Sequence, residues 1–489
     1  MRAHMGITPL FCLALSACAL GPDYTRPELP VPERWSTTTT PAEIDTMVQP
    51  RWWTAFGDPE LDALLHAAVI QNLDLKIAAA NLEQSRATAR VVAASLWGTA
   101  ALHPRYEKIK QSRRIVEEPS ATLRELGVTA LPNPSKQYSL PLEVSYEFDF
   151  WGRLRRGREA ATAEFHATRE DAHTIYLTLL AAVAGNYFDI REIDERIALT
   201  ERAQLLGNAT IRIVEKRYET GMIARTDVLR ARAQVAQLDS DVIELQRRRV
   251  ERQHALAVLL GQPPGALKVS AKPLRPAVQI PQVIPGLPSS LLARRPDVRA
   301  AEYRLMAANA RIGEAKAAFF PALSLTGEYG YQSRALDNLI SSKSIAWGIN
   351  PQIYLPLFDG GKRQGQLQAA RAATEEAVER YRLTLLRALE EVENVLAAGF
   401  YHAQQQTRIA VAVDALNAVH VLVRRQYEHG QVSLLEVLDA ERNLLAAEER
   451  ALVLYRARLD AILFLYKALG GGWEQAEFAG RQLSNNPEM

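Results

Sequence analysis

Nine histidines are scattered along the 489-residue chain, with no His-Glu-x-x-His pair and no metal-like cluster among them. Gly470-Gly471-Gly472 closes a helical stretch and reads as a C-terminal break, not a phosphate loop. Gly152 and Gly157, set beside arginines, mark a strand-to-helix junction. Nothing here argues for catalysis, a metal or a diffusible cofactor. The polar residues with informative spacing lie just beyond Gly430. Leu435, Asp439 and Arg442 are separated by four and three residues and so share one helix face, with Glu436 three residues before Asp439. On spacing alone this is a solvated coiled-coil face with i,i+3 pairs of about 0.2–0.5 kcal/mol each.

A second chemistry sits near the start. Arg2 and His4 precede an apolar run, Leu10 to Ala17, that ends in Leu15-Ser16-Ala17-Cys18. Small residues before a cysteine are the pattern of a bacterial lipobox. Residues 1–17 are expected to be a signal peptide and Cys18 to carry a covalent lipid, the one attached group the sequence implies. Cys12 falls in the removed segment, so no disulfide is expected. Ala19 after Cys18 favours the outer membrane. The proline- and threonine-rich stretch that follows predicts an extended tether over 18–58.

The elements that position these residues follow from composition and period. Charged residues are 23% of the chain and balance to a net +2, which gives no support for nucleic-acid binding. No mature stretch reaches about 18 consecutive apolar residues, so a membrane crossing would use strands. Tyr138, Leu140, Leu142, Val144, Tyr146, Phe148 and Phe150 alternate with Ser139, Glu143, Ser145, Glu147 and Asp149. Leu323, Leu325, Tyr329 and Tyr331 oppose Ser324, Thr326 and Glu328, and Ile345, Trp347, Ile349, Ile353, Leu355 and Leu357 oppose Asn350 and Gln352. A fourth strand, near Ala100 to Lys108, alternates poorly. The length and alternation of these strands suit lipid on one face and water on the other. Four strands do not close a membrane barrel, so the chain is expected to oligomerise, with two, three or four copies equally compatible with the strand count.

An internal repeat organises the rest. An offset of 209 residues aligns Gly152 with Gly361, Tyr218 with Tyr427, Gly221 with Gly430, Val228-Leu229 with Val437-Leu438 and Leu260-Gly261 with Leu469-Gly470. A weaker match at offset 223 pairs Asp74 with Asp297, Ala87 with Ala310 and Ala94 with Ala317. Each copy reads helix, two strands, long helix, turn, helix. This divides the chain into repeats at 59–261 and 289–472, a proline-rich connector at 262–288 crossing the outside, and a tail at 473–489. Arg153 to Arg217 and Lys362 to Gln426 each lack proline and would extend roughly 100 Å as helices. Leu229, Ala236, Ile243, Val250 and Ala257, and likewise Leu438, Leu445, Leu452, Leu459 and Tyr466, recur every seven residues and predict coiled-coil seams.

Residues along nearly the whole mature chain carry a family resemblance. Gly21-Pro22-Asp23-Tyr24, Trp52-Trp53, Phe56-Gly57-Asp58-Pro59, Arg295-Pro296-Asp297-Val298-Arg299-Ala300, Phe320-Pro321, Leu357-Phe358-Asp359-Gly360-Gly361, Tyr427-Glu428-His429-Gly430, Val437-Leu438-Asp439-Ala440 and Leu469-Gly470-Gly471-Gly472-Trp473 resemble the TolC/OprM outer-membrane factor family, in its NodT-type lipoprotein branch. The resemblance implies an α+β membrane protein in a Gram-negative outer membrane. It would be a homotrimer whose 12-stranded β-barrel continues into a periplasmic α-helical tunnel. The implied partners are a periplasmic adaptor (membrane fusion protein) and an inner-membrane transporter of RND type. Leu435, Glu436, Asp439 and Arg442 then match a periplasmic gate, and Tyr218, Gly221, Asp227, Tyr427 and Gly430 match tips that meet the adaptor. The expected function is the exit duct of a tripartite efflux system. A duct for type I protein secretion or metal efflux has the same fold. A periplasmic coiled-coil adaptor or structural lipoprotein is the alternative of another class, disfavoured by four long strands in two repeats.

Overall fold

The computed structural model describes residues 19–28, 31–36, 51–112, 133–275, 278, 280–281 and 294–471. Cys18, the signal segment and the tail lie outside the described residues, as does most of the connector beyond Pro281. The elements are a 3-10 helix Trp52–Phe56, α1 Pro59–Gln71, α2 Leu73–Ala94, β1 Thr99–Leu102, β2 Arg105–Ile109, β3 Ser135–Phe148, α3 Arg153–Glu219, α4 Arg225–Leu259, α5 Pro296–Ala317, β4 Ala322–Ser333, β5 Ile345–Tyr354, α6 Lys362–Glu428 and α7 Leu434–Ala468. The repeat is reproduced to the residue: α3 and α6 have 67 residues each, α4 and α7 have 35, and α2 and α5 have 22.

The chain divides into two compact units, 1–27 with 84–165 and 303–379, and 28–83 with 166–302 and 380–489. The first unit holds one antiparallel sheet ordered β1-β3-β4-β5, with β2 also paired to β3. The poorly alternating strand is thus two short pieces on one partner, interrupted at His103-Pro104, where proline cannot donate to the ladder. Register stacks like with like. Leu142 faces Tyr329, which faces Trp347, and Phe148 faces Leu323, which faces Ile353; on the other surface Ser145 faces Thr326, which faces Asn350. The apolar row stays open, with Val144 47%, Trp347 72% and Ile349 67% exposed. A water-soluble sheet would bury that row. Gly330 is required where β3 carries Pro141, because a Cβ there would lie 2.1 Å from the Leu140 carbonyl oxygen.

Both strand-to-helix junctions use aspartate. Asp149 accepts from the Leu154 and Arg155 amides at 3.0 and 2.8 Å, and Asp359 accepts from Gly361 and Arg363 at 3.1 and 3.2 Å. Each carboxylate thereby satisfies amides that a helix N-terminus leaves free. The N-terminal segment docks at the first junction. Leu20 N donates to the Trp151 carbonyl, Arg156 binds Asp23 at 2.8 Å, and Asn309 donates to the Pro22 carbonyl.

The second unit is helical. Its main core joins Trp52, Phe56, Leu61 and Leu65 to Leu180, Val183, Tyr187 and Phe188 of α3 and to Leu452 and Leu459 of α7. Segment 18–58 is therefore more than a tether, since the 3-10 helix is core and Trp35 is buried against α6 and α7. The connector also differs from expectation: Val269, Leu274 and Val278 are buried in the same core. Pro59–Ala94 is apolar enough by composition to cross a membrane, but Asn72 breaks it and Leu61, Leu65 and Ala68 serve the core. Asn72 Oδ1 accepts from the Leu75 amide and its Nδ2 donates to the Leu259 carbonyl, so one buried amide restarts a helix and ties it to α4.

The expected seams need correction. The seam of α4 within the chain is Val228, Ala231, Val235, Leu238, Val242 and Leu245, all buried. Of the stripe read from the sequence, Leu229 (54%), Ile243 (66%) and Val250 (45%) are exposed. The matching positions of α7, Leu438, Leu452 and Leu459, are buried, while Ala257 and its match Tyr466 are buried in both helices. Two helices of equal length and like pattern thus differ in how many of their apolar stripes the chain itself covers.

Candidate functional site

The tips are built by two matching helix ends. Gly221 and Gly430 both take φ +73°, and each tip pairs the glycine amide with the tyrosine carbonyl three residues back and the next amide with the carbonyl five back. That is the Schellman arrangement, which side chains with a Cβ resist on backbone grounds. Nothing lies within 4 Å of a Cβ at either position, so conformation and not crowding demands glycine.

The two tips are joined by a residue the sequence reading missed. Arg217, in the last turn of α3, lies 4.6 Å above the Tyr427 ring and donates to the Tyr427 and Glu428 carbonyls at 3.1 and 2.9 Å. A cation on terminal carbonyls of α6 satisfies the helix dipole as well as the hydrogen bonds. Tyr427 is buried while its repeat partner Tyr218 is 44% exposed. Burial pushes the Tyr427 hydroxyl up, against the pull of Arg217. Val214, Val228, Leu434, Val437 and Leu438 complete the apolar cluster beneath it.

The four gate candidates do not act as one group in the chain. Glu436 is the third residue of α7 and accepts from Ser433 N and Oγ, both at 3.2 Å, in a capping box. The Ser-x-x-Glu signal was legible in the sequence. Its repeat partner Asp227 follows Ala224, which has no capping oxygen, and pairs with Arg230 at 3.5 Å. Asp439 binds Arg442 on its own helix and accepts from Asn443 at 3.1 Å. Leu435 is 58% exposed whereas Leu434 is buried. Leu435, Asp439 and Arg442 therefore stay on a solvent-facing side of α7. A cleft of about 640 Å³ beside them is lined by Arg217, Asp227, Arg230, His429, Ser433 and Leu435. Among the described residues, no group of three or more His, Cys, Asp or Glu is placed to hold a metal.

A sheet with an open apolar face and a repeat of long helical hairpins are the parts of a channel. The family model described as outer membrane efflux protein matches residues 64–262 and 287–471. The cation efflux system protein CusC of Escherichia coli is 33% identical over 475 residues, covering 95% of this chain and 98% of its own. The toluene efflux pump outer membrane protein TtgI of Pseudomonas putida is 34% identical over 478 residues, covering 96% and 98%. Among solved structures, the outer-membrane channel OprN superposes with TM-score 0.86 at 30% identity, covering 93% of this chain and all of its own. The Neisseria gonorrhoeae MtrE channel in its open state gives 0.82 at 30%, covering 93% and 99%. The chain belongs to the outer membrane efflux protein family, and it is an outer-membrane channel of an efflux system.

Proposed function

We propose that three copies of this chain form a duct whose barrel takes four strand positions from each, with β1 and β2 sharing one. The observation that carries this is the sheet itself: an apolar outer face and two unpaired edges, which neither water nor lipid satisfies. The helices support it independently. In the second repeat the heptad stripe of α7 packs on α3, where Leu177 is buried. In the first repeat Leu229, Ile243 and Val250 of the equivalent stripe of α4 are open, and so is Leu386 on α6, the repeat partner of Leu177, at 58%. A neighbouring copy that lays its α6 on this α4 would bury both, as the repeat already does within the chain.

Cys18 is proposed to anchor the chain in the outer membrane, Leu435, Glu436, Asp439 and Arg442 to line the periplasmic constriction, and the Tyr218–Gly221 and Tyr427–Gly430 turns with Asp227 to meet a periplasmic adaptor. That adaptor would couple the duct to an inner-membrane transporter of RND type. The relatives are named for cations and organic solvents, so cargo choice is assigned to the transporter and not to the duct. The test is to purify outer membranes, show a heat-modifiable trimer, and record its conductance in planar bilayers. A monomer, or a trimer without conductance, overturns the proposal.

A further inference from the structure

A buried titratable pair reaches into the gate region, with Glu441 lying between Asp439 and Arg442 on α7. His420 of α6 and Glu441 of α7 have side chains 10% and 8% exposed, with Nε2 and Oε1 4.0 Å apart. Both atoms are buried and neither has a hydrogen-bond partner. At 4.0 Å the gap is too long for a hydrogen bond, yet each atom has lost its water. The other carboxylate oxygen points to the first hairpin. It accepts from Gln234 of α4 at 3.5 Å, and the Thr210 hydroxyl of α3, which donates to the Leu206 carbonyl, lies beside this carboxylate. Glu441 thus sits where all four long helices meet. The charged groups facing the pair are Arg424 on α6 and Glu448 on α7, the latter held by Arg202 of α3 at 2.7 and 2.8 Å.

The repeat shows that this arrangement is particular to one hairpin. At the position of His420 the first copy has Ile211, and at the position of Glu441 it has Arg232. Arg232 forms an open surface pair with Glu215 at 2.5 Å, whose own counterpart is Arg424. The charges are reversed between copies, and at these matched positions the pair is enclosed in the copy bearing Glu436 and Asp439 and open in the other.

We propose that His420 and Glu441 are a proton-operated latch that sets the pH at which the periplasmic end of the duct opens. The latch rests on the gate reading given above. Without the proton, the Glu441 carboxylate is held across the hairpins by Gln234. One proton from solvent, taken up on the pair, gives a hydrogen bond between Nε2 and Oε1. It draws the carboxylate toward α6 of its own hairpin and releases α4. Burial, reinforced by Arg424, holds the His420 imidazole below its ordinary 6.5. Burial holds the Glu441 carboxyl above its ordinary 4.5, against Arg424 and Thr210. Both displacements point into the interval between those values, so the pair takes up its proton as pH falls through the mildly acidic range.

The experiment records open probability of the full trimer in planar bilayers from about pH 7.5 to about pH 5. Wild type should open about five-fold more often at the acid end, the lower part of the range for coupled sites. His420→Gln and Glu441→Gln should each lose that response. A response retained in either assembled variant, or absent from wild type, overturns the latch. If one variant fails to form trimers, the other decides. The Leu435→Ala/Asp439→Ala double variant at neutral pH separates the two readings. If it leaves conductance unchanged while His420→Gln abolishes the pH response, the gate assignment fails and the latch stands. If it raises conductance while His420→Gln keeps the response, the latch fails alone.

Discussion

Arg217 and Tyr427 lie in different copies of the repeat, 210 positions apart, and one guanidinium both stacks on the ring and donates to the last turn of the other helix. This contact locks one tip to the other. Removing it should loosen the tips without unfolding the helices. Arg217→Ala should cost about 2–3 kcal/mol, from two charge-assisted hydrogen bonds and a cation–π contact. Arg217→Lys should recover less than half, since lysine lacks the fork. Cells carrying the alanine variant should become more sensitive to vancomycin, and unchanged sensitivity would remove the tip lock.

The sheet gives an orientation test. Val144 is 47% exposed on the apolar row and Ser145 belongs to the polar row facing Thr326. Val144→Arg should sharply reduce trimer yield, because a charge at the bilayer midplane costs about 2–4 kcal/mol. Ser145→Arg should be tolerated. Equal yields on non-boiled gels would reverse the assigned faces.

For the constriction, Leu435→Ala combined with Asp439→Ala should raise single-channel conductance at neutral pH. Each native restraint is small, about 0–1 kcal/mol for an exposed pair, but symmetry repeats it. The matched control is Asn208→Ala. Gly207 is unsuitable, because a Cβ there would lie 2.7 Å from Val235 Cγ2 and disturb the approach of α3 to α4. Stable trimers with native conductance would clear Leu435 and Asp439 of a gating role.

A buried carboxylate gives a pH prediction. Glu170 is fully buried, and it contacts His173 at 3.1 Å, Arg299 at 3.1 Å and Arg169 at 3.3 Å. Burial alone would raise its pKa, but the His173 hydrogen bond and the Arg299 and Arg169 charges together hold it below the usual value. A depressed carboxyl contributes stability above its unfolded value near 4.5 and loses it as pH falls through the folded value. Trimers should therefore melt at lower temperature below about pH 4. Glu170→Gln should destabilise the protein at neutral pH, since it leaves Arg169 and Arg299 without the buried carboxylate they share. Thermal unfolding followed by circular dichroism at several pH values checks both statements.

Cys18→Ser should abolish palmitate labelling while allowing trimers to form, because the segment after Cys18 is held independently by Trp151, Arg156 and Asn309. Persistent labelling of the variant would exclude Cys18 as the acceptor.

The sequence by itself determined what depends on local period and local sterics. Alternation placed Val144 and Ser145 on opposite faces because the strand period is two. The repeat placed equal helices at equal offsets, and glycines fixed both tips because only they take a positive φ without strain. Tertiary structure decided whatever depends on which apolar surface finds a partner. The heptad rule found Leu229, Ile243 and Val250 but did not tell that Val228, Val235 and Leu238 form the inner seam, because a helix with two apolar stripes satisfies the same period twice. Arg217 on Tyr427, Trp35 in the core and the enclosure of Glu441 by four helices join positions far apart in the chain. Such contacts follow from packing geometry, and no local pattern of residues encodes them.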